Sequence, residues 1–136
     1  MGARRKARET ALQMLYQIDV SGAGVEEAIG AYARSFELDP EVAEYAHQIV
    51  RGVHKKLEAI DEAIREASQN WRMERMARVD RNVLRLAAFE LLYVADVPKR
   101  VALNEAVELG KRFGAEGSAA FINGILDAIA APLDKE

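Results

Sequence analysis

Apolar residues along this chain recur at helical spacing almost from end to end, and no stretch alternates at period two long enough to argue for a strand. Ala7, Ala11, Met14, Leu15 and Ile18 line one face of a first helix that ends at Ser21-Gly22-Ala23-Gly24. A second helix, Val25 to about Phe36, buries Ala28, Ile29, Tyr32 and Phe36. Asp39-Pro40-Glu41 starts a third with an N-cap oxygen, a first-turn proline and an acid facing the positive helix end. It carries Val42, Tyr45, Ala46, Ile49, Val50, Val53 and Leu57. Gly52 falls inside it at a cost of about 1 kcal/mol relative to alanine, so a close packing contact is expected there. Asp61 caps a short fourth helix with Ile64 and Ala67 inward. Asn70-Trp71-Arg72 then breaks the pattern; Trp71-Arg72 with Arg75, Arg78 and Arg81 fits a binding segment, although Trp71 itself reads better as a core anchor.

The most apolar helix spans about Met76 to Tyr93. Val79, Val83, Leu84, Leu86, Ala87 and Leu91 place it at the centre of the fold, with Arg78 and Arg81 pairing with Asp80 and Glu90 or lining a surface. Asp96-Val97-Pro98 ends it, because a residue before proline avoids the helical region. Another helix runs from about Val101 to Arg112. Phe113-Gly114-Ala115-Glu116-Gly117-Ser118 forms a glycine-bracketed turn, Ser118 caps a last helix through Ile129, and residues 132–136 form a charged tail. The expected architecture is an all-α bundle in one domain spanning residues 1–136, a usual single-domain length.

Composition narrows the chemistry. There is no cysteine, which excludes a disulfide framework, a thiol nucleophile and a Cys-ligated metal. That fits a cytoplasmic protein, as does the lack of a signal-peptide pattern or an apolar run of about 18 residues. His47 and His54 lie two helical turns apart, about 10 Å along the axis, too far to share an ion. Gly110-Lys111-Arg112-Phe113-Gly114 has the composition of a phosphate loop but follows a helix and lacks the Walker spacing. The acidic pairs Glu26/Glu27 and Glu105/Glu108 read as solvated helix faces. No nucleophile, base and oxyanion site assemble, so neither enzyme activity nor a cofactor or metal is expected.

Binding is better supported. The chain has 19 basic and 22 acidic residues, yet Arg4, Arg5, Lys6 and Arg8 crowd into its first eight positions. Cations at a helix N-terminus are disfavoured by roughly 0.3–1 kcal/mol each, so their collection there suggests an external polyanion. A frayed, solvated terminus is the plainer alternative. Free N–H groups at the start of the last helix suit a phosphate. Phe121 can stack on a base and Asn123 can read a base edge; against this, Phe121 serves equally as core and Asn123 as a local hydrogen-bonding residue.

Three segments, RRKARETALQMLYQ at the start, VDRNVLRLAAFELLY in the centre and DVPKRVALNEAVELGKRFGAEGSAAFINGILD near the end, together resemble the NusB family of transcription antitermination factors in order and spacing. The resemblance implies about seven helices in two packed three-helix bundles. It implies binding of the boxA element of nascent ribosomal RNA leaders together with NusE, ribosomal protein S10, so that the RNA polymerase antitermination complex reads through terminators of ribosomal RNA operons. The RNA-contacting start of the first helix in that family maps onto Arg4, Arg5, Lys6 and Arg8. The turn before the last helix maps onto Glu116, Gly117, Ser118 and Phe121. Some relatives carry an acid where Gly117 stands here, which bears on a polar contact at that position. The NusE surface is placed near Asp80 on the central helices. Relatives occur as monomers and as homodimers, and the domain also occurs fused to RNA cytosine methyltransferases. The competing reading is a protein-only helical scaffold, which would show no salt-sensitive RNA binding.

Overall fold

The computed structural model describes residues 2–69 and 71–136, and among them every regular element is helical. The helices are α1 (Gly2–Ser21), α2 (Val25–Ser35), α3 (Pro40–Lys55), α4 (Leu57–Ala67), α5 (Arg78–Tyr93), α6 (Lys99–Phe113) and α7 (Ser118–Ala130), with a 3-10 turn at Met73–Arg75 before α5. Helices α1, α2 and α3 pack on one another, and α4 to α7 form the second group. Helix α5 touches both groups, packing against α1, α3, α4, α6 and α7. Its Val83, Leu84, Leu86, Ala87 and Leu91 are all buried, which puts the expected hub at the centre. Gly52 has the packing reason its cost required: a Cβ there would run into the Phe89 ring of α5.

Four local expectations need correction. Phe36 is 56% exposed, because α2 stops at Ser35 and Phe36 turns into extended backbone, its ring tilted against Tyr32 at 4.6 Å. Leu57 does not extend α3; the backbone leaves the helical region at Lys56 and Leu57 opens α4. Asp61 therefore lies inside α4 instead of capping it. Its carboxylate accepts from Arg85 Nε at 2.9 Å and Nη2 at 3.1 Å. Arg81 reaches neither Asp80 nor Glu90 but Asp19 of α1, at 2.7 Å. Trp71 and Arg72 break the helical pattern as expected, while Asn70 lies outside the described residues.

The C-terminal tail is tied down by ammonium groups that reach backbone carbonyls near the ends of α5 and α7. Lys135 Nζ donates to the carbonyls of Glu90, Leu91 and Val94 at the end of α5, between 3.0 and 3.2 Å. Lys99 Nζ donates to those of Ala130, the last residue of α7, and Leu133 beyond it. Cations are favoured at these negative helix ends.

Candidate nucleic-acid interface

Helix α1 starts where its sequence predicts, but its four cations have different fates. Ala7 and Ala11 have no exposure, which lets α1 lie close against its neighbours. Arg8, one position on from Ala7, is carried inward with it and is 4% exposed. Its Nε donates to Glu90 Oε2 at 2.8 Å, and its Nη1 lies 3.5 Å from Glu105. The Tyr45 hydroxyl donates to the same Glu90 oxygen. Burial and the Glu90 carboxylate push that hydroxyl's pKa far above its ordinary value. The expectation that Arg8 stands exposed beside its neighbours is therefore corrected. It compensates a fully buried carboxylate.

Arg4 and Arg5 remain at the surface. The Arg4 guanidinium sits 4.2 Å from the centre of the Tyr45 ring and 3.3 Å from Asp96. Arg5 forms a two-pronged pair with Glu105 of α6, Nε at 3.2 Å and Nη2 at 2.7 Å. These hydrogen bonds hold the Glu105 carboxyl below its usual pKa against the opposing effect of partial burial. Glu105 thus departs from its expected role as one of two solvated acids. Among the described residues no carboxylate comes within ion-pair distance of Lys6.

A second cluster forms around the turn before α7. Gly117 holds φ +90°, a conformation that favours glycine. Ser118 opens α7 without capping it; Gly117 occupies the cap position, and the Ser118 hydroxyl accepts from the Ala115 N–H at 2.9 Å. Phe121 is half-buried one turn on, with Asn123 and Glu116 exposed nearby in sequence. Trp71 does not enter the core. It is 57% exposed and meets Phe121 edge-on, ring centres 5.4 Å apart. The pair borders an open cleft of about 320 Å³ whose wall includes Arg75, Asp80, Glu116 and Gly117. Asp80 is 9% exposed, and its Oδ1 is buried without a hydrogen-bond donor.

Helix α6 joins the two clusters. Glu105 meets Arg5, Arg112 pairs with Glu9 two turns later, and the turn to Phe121 follows at Gly114. From Glu105 to Gly114 the helix advances about 13 Å at 1.5 Å per residue. Lys111, Arg112 and Phe113 are exposed along its end, the Arg112 guanidinium 5.0 Å from the Phe113 ring centre. Lys111 and Arg112 thus border the surface that their glycine-flanked motif alone did not assign. The exposure of Trp71 corrects its expected role as a core anchor and agrees with its other reading, as part of a binding segment with Arg72, Arg75, Arg78 and Arg81.

The model of the NusB family matches residues 5–131. A transcription antitermination protein NusB of Anaeromyxobacter dehalogenans strain 2CP-1 is 55% identical over 131 residues, covering 96% of this chain and 92% of that one. The protein of that name from Sorangium cellulosum is 53% identical, covering 99% and 96%. Among solved structures, T. maritima NusB superposes with a TM-score of 0.86 at 36% identity, covering 95% of this chain and 91% of that one. A chain from a crystal structure of antitermination factors NusB and NusE in complex with dsRNA superposes with a TM-score of 0.86 at 28% identity, covering 98% and 99%. No helix here is long and apolar enough to cross a membrane among the described residues.

Proposed function

This chain belongs to the NusB family, and we propose that it is a transcription antitermination factor that binds boxA RNA of nascent ribosomal RNA leaders together with NusE. Its role is regulatory rather than catalytic, in the cytoplasm where the transcript emerges, and it acts on RNA polymerase through the assembled complex. The observation that carries the reading is that α6 runs from Glu105, which meets the exposed Arg5 of α1, to the turn that precedes Phe121 and its ring partner Trp71. Phosphate contacts supply affinity that is indifferent to sequence, while stacking and base-edge contacts on unpaired RNA supply discrimination.

Arg4, Arg5 and Lys6 are the phosphate contacts; Arg8 supports them from beneath through Glu90. Glu116, Gly117, Phe121 and Asn123 form the base-contacting end, and Trp71 joins them; Ser118, 4% exposed, supports the turn by accepting from the Ala115 N–H. The NusE surface includes the first turn of α5 near Asp80, which lines the wall of the cleft beside Trp71. Titration of a boxA RNA and a scrambled control, each with and without NusE, tests the reading. Salt-sensitive binding with a boxA preference that grows with NusE is expected. Equal binding of both RNAs in the presence of NusE would overturn it.

A further inference from the structure

We propose that Glu105 is a built-in competitor of RNA phosphate: by engaging the Arg5 guanidinium from α6, it keeps the basic edge weak toward polyanions that offer only charge, and so sets the specificity of the site. The proposal rests on the reading of Arg5 as a phosphate contact. A carboxylate and a phosphate present oxygens of similar spacing to an arginine fork, so both seek the same N–H edge. Glu105 occupies that edge through Nε and Nη2 of Arg5. It is also well placed to hold it, because its side chain is only 16% exposed and Arg8 steadies it at 3.5 Å.

The other surface cations of α1 are not restrained in this way. Arg4 lies against the Tyr45 ring and has one 3.3 Å ion pair, with Asp96, in which both side chains are open to screening by water and salt. Lys6 has no such partner among the described residues. Arg5 is therefore the surface cation of α1 whose availability the fold controls. Releasing it strands no charge, since Glu105 keeps Arg8 and Arg8 keeps Glu90. A sequence-blind strand gains one cation only by displacing a carboxylate from it. An RNA that also stacks at Trp71 and Phe121 has other contacts to sustain the exchange. Discrimination grows because an unwanted ligand is penalised, not only because the wanted one is favoured.

The test compares poly(U) with boxA RNA across a salt series, using the intact protein, Glu105→Gln, Arg5→Ala and the double variant. Glu105→Gln is expected to bind poly(U) severalfold more tightly, with a log–log salt slope steeper by about 0.7, one added phosphate contact, and a smaller boxA preference. Arg5→Ala should abolish that gain. If Glu105→Gln leaves poly(U) binding unchanged or weaker while Arg5→Ala still weakens binding, the proposal alone is overturned. If Arg5→Ala changes nothing even beside Glu105→Gln, the proposal falls with its premise. Should Glu105→Gln melt early, Glu105→Asp keeps the charge but is one methylene short of the two-pronged pair; it should shift binding the same way by a smaller amount, and no shift counts against the proposal.

Discussion

Arg8 of α1 and Glu90 of α5 form a buried ion pair at 2.8 Å, with side chains 5% and 0% exposed. Removing one partner of such a pair leaves a buried charge uncompensated, which costs about 3–5 kcal/mol. Arg8→Ala should lose stability on that scale in denaturant titration, whereas Lys6→Ala should change it by less than about 0.5 kcal/mol. Equal small losses would mean that Arg8 is solvated in solution.

The exposed cations should act chiefly on RNA. Arg4→Ala, Arg5→Ala and Lys6→Ala combined should flatten the log–log salt dependence of RNA binding by about 0.7 per lost phosphate contact. An unchanged slope in the triple variant would sink their assignment.

Trp71 and Phe121 form one aromatic unit, so replacing either by alanine should lower the preference for boxA over scrambled RNA more than total affinity. Each lost base stack is worth roughly 1–3 kcal/mol. Fluorescence anisotropy with both RNAs reads this directly, and a uniform loss for both would assign the pair to packing alone.

The depressed Glu105 carboxyl gives stability a defined pH dependence. Because its folded pKa lies below its ordinary value of 4.5, its contribution is fully present above that value and is lost as pH falls through the folded pKa. Glu105→Gln should therefore show a shallower loss of melting temperature between about pH 5 and pH 3 than the unmodified chain. Parallel profiles would indicate that the Arg5 pair contributes nothing to folding.

Leu86, 1% exposed on α5, tests the placement of the core. Leu86→Ala should cost about 2–5 kcal/mol, and a loss below 1 kcal/mol would contradict that placement.

By itself the sequence determined the helices, the hub at α5 and the position of the glycine turn, because periodicity, caps and breakers are local properties that act within a few residues. It also located the two clusters that form the candidate surface. Tertiary structure decided which members of those clusters are available. One helical step separates Ala7 from Arg8, so close packing of α1 carried Arg8 inward to a carboxylate 82 positions away, while Arg4 and Arg5 stayed outside. Trp71 follows the same logic in reverse. Its hydrophobicity favoured the core, but the non-helical segment before α5 left it at the surface beside Phe121. Glu105 looked like a solvated helix acid until α6 was laid against α1. Burial and pairing depend on which helices meet and at what rotation, and that is fixed by long-range packing no local pattern encodes.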